Sequence, residues 1–121
     1  MPTTLSGFED LTKQLISFRD AREWKRFHSL KNLILSLNLE AAELLELTQW
    51  QSEEEFEKAV SDAEVRQNLK DECADVLLYL LLVAERANID LLQAAADKIK
   101  KNQDKYPVEK ARGNARKYTQ L

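Results

Sequence analysis

The sequence predicts an all-α protein, an antiparallel helical bundle built around two long helices. Its 121 residues include two Gly and two Pro, whereas average usage would give roughly fourteen of the two together. So few turn-forming residues argue against an all-β fold and against a Gly-rich phosphate loop. Apolar residues recur at helical spacing, and no segment alternates with the period of a strand. The length suits one domain; we predict it over 1–121, with about 106–121 as a C-terminal tail.

The individual helices are predicted from apolar spacing and from their end signals. Five are expected, at about 7–20, at about 30–50, a short acidic one after Ser52, a long one from Ser61 to about Ala87, and one at about 91–105. Their expected N-terminal caps are Ser6, Ser29, Ser52, Ser61 and Asp90. Asn88 is expected to end the long helix, because Asn tolerates the left-handed conformation. Pro107 ends the last helix, and 21–29 is a polar, aromatic connection.

Charge and cysteine content exclude several classes of protein. A net charge of −3 provides no global field for binding nucleic acid. The single cysteine, Cys73, cannot form an intramolecular disulfide and fits a reducing compartment; we interpret it as a small buried apolar residue. The N-terminus has no signal-peptide pattern, and the longest apolar run, Val76 to Ala84, is too short to span a bilayer. We expect a cytoplasmic protein with neither nucleic-acid nor membrane partners.

Two pairs of carboxylates fall on the apolar faces of the two long helices. On a wheel of about 100° per residue, Glu40 and Glu43 lie about 60° apart within a stripe of leucines. Glu72 and Asp75 repeat the same three-residue step among valines and Tyr79. Such acids are exposed on most helices, but two pairs in apolar stripes are hard to explain as solvated faces.

Acids in these positions require compensation, since burying an unpaired carboxylate is costly and four of them repel one another. Protonating all four at neutral pH would need a large pKa shift in each. Helical spacing brings only Arg86 and Lys98 near these faces. A divalent cation is the simpler solution, and a set of oxygen donors without His or Cys favours Mg²⁺, with Mn²⁺ as a substitute, over zinc.

A magnesium site of this kind suggests phosphoryl chemistry, because Mg²⁺ commonly bridges protein carboxylates and substrate phosphates. Lys98, Asn102 and Lys105 share one face of the last helix and could bind phosphate oxygens, although a solvated lysine face is the alternative. Arg112 and the other tail cations could close over the phosphates, or form a disordered basic end.

Aromatic and heterocyclic side chains beside a phosphate site could stack a nucleobase. Trp24 and His28 are four residues apart in the connection, Trp50 lies at the end of the second helix, and Tyr79 neighbours Glu72 on the wheel. Each taken alone is more often a core residue than a ligand contact.

Several segments, in a fixed order, carry a family resemblance. They are Arg22-Glu-Trp-Lys-Arg-Phe-His28, Asn32-Leu33, Glu40-Ala-Ala-Glu-Leu-Leu-Glu46, Gln49-Trp50, Glu72-Cys-Ala-Asp-Val-Leu-Leu-Tyr79 and Lys105-Tyr-Pro-Val-Glu-Lys-Ala-Arg-Gly113. Over about residues 8–113 the chain resembles the MazG-like, all-α nucleoside triphosphate pyrophosphohydrolase superfamily, most closely its dCTP pyrophosphatase-type branch.

The resemblance implies an activity and a set of site residues. The reaction is hydrolysis of a (deoxy)nucleoside triphosphate at the α–β bond to monophosphate and pyrophosphate. The implied Mg²⁺ ligands are Glu40, Glu43, Glu72 and Asp75. The implied substrate contacts are Trp24, His28, Trp50 and Tyr79 around the base, with Lys98 and Asn102 on the substrate side. The family also forms homodimers or dimers of dimers, here a homodimer or homotetramer, with sites completed across subunits.

We therefore predict a nucleotide-pool house-cleaning hydrolase acting on acid anhydrides, with dCTP or related and modified deoxynucleotides as substrates. Glu40 or Glu43 would orient or deprotonate the attacking water. A second hypothesis is a non-catalytic helical interaction module whose apolar faces serve oligomerisation, although it leaves the four acids unexplained. A third, a nucleic-acid binder that uses the basic tail, is disfavoured by the negative net charge.

Overall fold

The computed structural model describes residues 7–121, and within that range the chain is helical and has no strand. The α-helices are α1 Phe8–Ala21, α2 Leu30–Glu46, α3 Glu53–Ala59, α4 Ala63–Arg86, α5 Leu91–Lys105 and α6 Val108–Ala111, with 3₁₀ turns at Lys25–Phe27 and Tyr118–Gln120. The all-α prediction is confirmed. Two compact units are present, one ending at Asn88 and one over Ile89–Leu121, and each is described by itself. A single domain with a tail from about 106 stays a prediction.

Side-chain caps begin three helices as the sequence predicts. The hydroxyl of Ser29 accepts a hydrogen bond from the Asn32 amide at 3.2 Å, and Ser52 caps α3 in the same way. Asp90 accepts from the Gln93 amide at 3.1 Å and begins α5. The predicted cap Ser6 lies outside the described residues; Gly7 is the N-cap residue of α1 and makes no side-chain cap bond. These caps satisfy amides that the first turn of a helix leaves without partners.

The cap of α4 is Asp62, one residue after the predicted cap Ser61. The helix itself begins at Ala63. The Asp62 carboxylate accepts hydrogen bonds from the amides of Glu64 and Val65, both at 3.2 Å. The Ser61 hydroxyl instead donates to the Lys58 carbonyl at 2.7 Å, at the end of α3. The Ser61 hydroxyl therefore bonds the end of α3, and the acceptor for the first-turn amides of α4 is the Asp62 carboxylate.

Helix α2 ends earlier than predicted, at Glu46 rather than near residue 50. The amides of Leu47, Thr48 and Gln49 each bond a carbonyl three residues back, a tighter pattern than the α-helix. Trp50 then takes a left-handed conformation with φ of 65°. Asn88 does the same after α4, with φ of 55°, as predicted for a helix end.

The core of the first unit is small and lies where α2 and α1 pack against α4. Its buried apolar residues are Leu33 of α2 and Leu81, Leu82 and Ala84 of α4. Arg19 of α1 is the buried charged residue, with 4% exposure.

Much of the remaining apolar surface of α2 faces solvent. Ile34, Leu35, Leu39 and Leu45 are 44–66% exposed. A face of this kind is typical of a helix that another chain covers. Over residues 7–121, no helix has both the length and the apolarity needed to cross a bilayer.

Cys73 is exposed, so its interpretation as a buried apolar residue is wrong. It follows Glu72 in α4, and one residue turns a helix by about 100°, which carries its side chain off the face occupied by Glu72.

The corrected cap of α4 gives a test of the fold. We expect Asp62→Ala to lower the free energy of unfolding by about 1 kcal/mol, since it removes the acceptor for two first-turn amides. Ser61→Ala should cost less, because that hydroxyl bonds a carbonyl at the solvent-exposed end of α3. Urea unfolding followed by circular dichroism measures both variants. A larger loss in Ser61→Ala would contradict the assignment of Asp62 as the cap.

Candidate active site

Three carboxylates meet where α2 packs against α4. Glu40 and Glu43, one turn apart on α2, and Glu72 of α4 each offer an oxygen, and these oxygens lie within 4.8 Å of one another. Asp75, the fourth predicted acid, is outside this set of three but close enough for its charge to act on Glu40 and Glu72. We call Glu40, Glu43, Glu72 and Asp75 the carboxylate cluster.

The cluster combines buried oxygens with an open side. Glu40 and Glu72 are partly buried, whereas Glu43 is exposed. Among the described residues, Oε2 of Glu40 and Oε2 of Glu72 are buried atoms without a hydrogen-bond partner. Unpartnered buried acceptors are uncommon, since each loses its water without replacement. Two such atoms, one from each helix, indicate a place for a shared cationic ligand.

Electrostatics within the cluster follow from this crowding. The pKa of Glu40 is raised to about 7. Burial is the largest cause; hydrogen bonding with Glu43 and the charge of Glu43 come next, followed by the charges of Asp75 and Glu72. Burial also raises the pKa of Glu72, with Glu43 as the next cause. Both shifts disfavour the ionised forms, so the cluster without a cation is under charge repulsion at neutral pH.

A second feature adjoins the cluster: a cavity of about 230 Å³ with largely apolar and aromatic walls. We call it the aromatic cavity, and it is lined by Leu15, Phe18, Arg19, Trp24, His28, Asp75, Leu78, Tyr79 and Leu82. Asp75 belongs both to this lining and to the carboxylate cluster. The aromatic cavity and the carboxylate cluster are therefore adjacent on α4 and have Asp75 in common.

The turn after α1 builds the aromatic wall of the cavity. Glu23 takes a left-handed conformation with φ of 53°, and the Trp24 amide bonds the Arg19 carbonyl at 3.2 Å, which folds the chain back over α1. The Trp24 ring then meets the Phe18 ring edge-on, with centroids 5.7 Å apart. The Arg22 guanidinium lies 3.8 Å from the centre of the Phe18 ring, a cation–π contact that braces the pair.

His28 is the polar group of this turn that has no partner. Its Nδ1 is buried and makes no hydrogen bond within residues 7–121. Burial lowers the pKa of His28, and the positive charge of Arg19 lowers it further. A neutral imidazole offers one donor and one acceptor, and the residue that carries this unpartnered atom lines the aromatic cavity.

Arg19 lines the cavity and is buried, although it was not predicted from the sequence as a site residue. A signal was present, since Arg19 lies four residues after Leu15 and about 40° from it on a helical wheel, beside the apolar stripe of α1. A lone cation at the edge of an apolar stripe is the same anomaly that marked the carboxylates.

Of the other predicted substrate contacts, one does not line the aromatic cavity and four belong to the second unit. Trp50 is 96% exposed and does not line the aromatic cavity. Lys98, Asn102 and Lys105 are exposed on α5, and Arg112 is exposed after α6. Their assignment to phosphate binding stays a prediction. Within that unit, the Lys105 ammonium lies 4.8 Å from the centre of the Tyr118 ring.

Comparisons with known proteins agree on one family. Residues 35–121 match the MazG-like family. The chain is 41% identical to mouse dCTP pyrophosphatase 1 and 38% identical to the human protein of that name, in each case over 93% of this chain and 66% of the relative. It thus spans slightly under two thirds of these relatives' length. The crystal structure of a pyrophosphatase from Archaeoglobus fulgidus superposes with a TM-score of 0.79 and 37% identity, covering 88% of this chain and 98% of that one.

The raised pKa of Glu40 predicts how the metal-free protein responds to pH. The folded state holds the Glu40 proton more tightly than the unfolded state, whose glutamate pKa is about 4.3. This contribution to stability is complete below about pH 4.3 and is lost as pH rises toward about 7. With EDTA present, Glu40→Gln should therefore gain in melting temperature over wild type as pH rises from 5.5 to 8.

His28 acts in the opposite sense, because its lowered pKa costs stability as pH falls below about 6.5. Because His28 is present in both proteins, its contribution cancels when the melting temperature of the variant is compared with that of wild type. Glu46→Gln, an exposed glutamate of α2, is the matched control and should show no such gain. Parallel melting curves for Glu40→Gln and Glu46→Gln across this range would contradict the described electrostatics.

Proposed function

This chain belongs to the MazG-like family, and we propose that it is a Mg²⁺-dependent nucleoside triphosphate pyrophosphohydrolase. The reaction is hydrolysis of the α–β bond to monophosphate and pyrophosphate, with dCTP or a related or modified deoxynucleotide as substrate. The observation that carries the proposal is the shared wall of the carboxylate cluster and the aromatic cavity at Asp75. The mouse and human relatives named dCTP pyrophosphatase 1 support the choice of substrate.

The residues fit the cation that this function needs. Glu40, Glu43, Glu72 and Asp75 would hold Mg²⁺, with Mn²⁺ as a substitute, since all four offer the hard oxygen ligands that these ions prefer. The buried, unpartnered oxygens of Glu40 and Glu72 favour this fit. Bound Mg²⁺ would supply activation of water and neutralise charge on the pyrophosphate leaving group.

Glu40 and Glu43 of α2 are the proposed contacts of the attacking water. Glu43 is exposed and one turn from Glu40, so the two carboxylates border the solvent side of the cluster. One of them would orient the attacking water and accept its proton. Glu72 and Asp75 complete the cluster from α4.

The aromatic cavity would take the base. Trp24 and Tyr79 offer ring surfaces for a planar heterocycle, and the unpartnered Nδ1 of His28 offers it one polar contact. Trp50 is nearly fully exposed and is available to complete the site of a second copy. Lys98, Asn102, Lys105 and Arg112 remain the proposed cationic and polar contacts for phosphate oxygens.

We propose a homodimer or homotetramer as the working form, formed through the exposed apolar face of α2. Four apolar residues there are at least 44% exposed, and exposed apolar surface is typical of a contact with another chain. The interaction-module hypothesis accounts for this face too, but not for the carboxylate cluster. Neither nucleic acid nor a membrane is proposed as a partner.

The activity is tested by measuring pyrophosphate and monophosphate from a panel of deoxynucleoside triphosphates, with Mg²⁺ or with EDTA. We expect Mg²⁺-dependent release of pyrophosphate with dCTP among the best substrates. Glu43→Gln should lower kcat by about 100-fold or more, because it removes a charge that the water and the cation both need. Glu46→Gln, one turn along the same helix, should retain near wild-type rates.

Two results would contradict this function. Release of orthophosphate would exclude cleavage at the α–β bond. No turnover of any triphosphate, together with no rise in melting temperature on adding Mg²⁺, would favour the interaction module, since a ligand that binds only the folded state must stabilise it.

The proposed assembly makes a separate prediction. Leu39, 59% exposed on α2, would be buried against a second copy, so Leu39→Glu should shift the molecular mass measured by light scattering toward the monomer. Gln14→Glu adds the same charge at an exposed position of α1 and should leave the mass unchanged. A wild-type monomer at micromolar concentration would exclude the assembly.

A further inference from the structure

Arg19 is a buried cation in a cavity that is otherwise mostly apolar. Its side chain is 5% exposed, while its partners Asp20 and Glu85 are 51% and 35% exposed. The partners are therefore far more accessible to water than the Arg19 side chain. A buried ion pair is often no more stabilising than apolar residues packed in its place, so stability alone is a weak reason for a cation here.

Two ion pairs fix the guanidinium in place. Its Nε donates to Asp20 Oδ1 at 2.9 Å, and its Nη1 donates to Glu85 Oε2 at 3.2 Å. Glu85 lies on α4, so the second bond ties the cation to the helix that carries Asp75 and Tyr79. These bonds use two of the five N–H donors of an arginine, and Arg19 lines the aromatic cavity. A planar donor held in one orientation loses little entropy when it binds an acceptor.

The size and lining of the aromatic cavity indicate which kind of chemical group would fit in it. At about 230 Å³ it is below the usual range of about 300–1,000 Å³ for whole-ligand pockets, which suits one ring system rather than an entire nucleotide. Phe18, Trp24 and Tyr79 provide ring surfaces, Arg19 provides only donors, and His28 Nδ1 is buried without a partner. The matching group is a planar heterocycle with an acceptor oxygen on its edge.

We propose that Arg19 is a specificity-determining residue, whose guanidinium, held by Asp20 and Glu85, donates a hydrogen bond to the ring carbonyl oxygen of a pyrimidine base. This inference rests on the proposed function, which places the base in the aromatic cavity. Cytosine and thymine carry such an oxygen, whereas adenine offers only ring nitrogens as acceptors. Arg19 thereby favours pyrimidine over adenine nucleotides.

The test separates a contact to the base from a purely structural ion pair. Arg19→Met alone would leave Glu85 unpaired, so the main variant is Arg19→Met with Glu85→Gln, and Glu85→Gln alone is its matched control. Relative to that control, we expect kcat/KM for dCTP to fall about 10- to 100-fold, the usual effect of losing a charged hydrogen bond. The loss should lie mainly in KM, and dATP should change less than threefold.

A structural role predicts a different outcome. The melting temperature would fall, and kcat/KM would drop by the same factor for dCTP and dATP, which would overturn the proposal. A substrate-side test needs no altered protein: 2-thio-dCTP replaces the only ring carbonyl oxygen of cytosine by sulfur, a weaker acceptor. Wild type should use it less well than dCTP, and equal use would also overturn the proposal.

Failure of the proposed function can be told apart from failure of this inference. If wild type hydrolyses no triphosphate, calorimetric binding of dCMP and dAMP still tests the Arg19 contact. Tighter binding of dCMP by wild type, lost in the double variant and kept in Glu85→Gln, would support it. Equal binding of the two monophosphates, or no binding of either, would overturn it.

Discussion

The packing of α2 against α4 is the contact on which the site depends, and like charges within it oppose that packing. Leu33, Leu81 and Leu82 are buried at or near this contact, and they hold Glu40 and Glu72 where their oxygens cannot all be hydrated. The apolar contact thus stabilises a packing of α2 against α4 that repulsion between the carboxylates opposes. A cation placed among them would convert repulsion into attraction, which would link folding to cation binding.

Helix α4 also sets the distance between the two halves of the site. Glu72, Asp75 and Tyr79 lie along it at intervals of three and four residues, and a rise of 1.5 Å per residue places the first and last about 10 Å apart. The acids contribute to the carboxylate cluster and the tyrosine to the aromatic cavity. A rigid helix therefore fixes the separation between charged and aromatic subsites, whereas the opposite wall of the cavity comes from a turn, where Glu23 adopts a left-handed conformation.

Periodicity and caps made most of the fold predictable. Helices α1 to α5, the stop at Asn88 and the apolar faces that carry Glu40, Glu43 and Glu72 follow from spacing, because a side chain's face on a helix depends on its neighbours in sequence, whereas α6 lies in the segment predicted to be a tail. Features set by competition between partners were not predictable. The neighbouring Asp62, rather than Ser61, supplies the acceptor for the first amides of α4, and the end of α2 depended on a tightening of its last turn. Arg19 was overlooked because its partner Glu85 is 66 residues away, a pairing that local patterns do not contain.

The small core of the first unit has a consequence for how the protein behaves in dilute solution. Four apolar residues are buried among residues 7–121, and one of them, Leu33, lies on α2, the helix that also carries the exposed Ile34, Leu35, Leu39 and Leu45. A chain that leaves this much apolar surface in water gains little stability from its own interior. Where a second copy covers that surface, folding and association become a single equilibrium governed by mass action. The unfolding midpoint then moves with protein concentration, and a melting temperature describes the protein only when the concentration is stated.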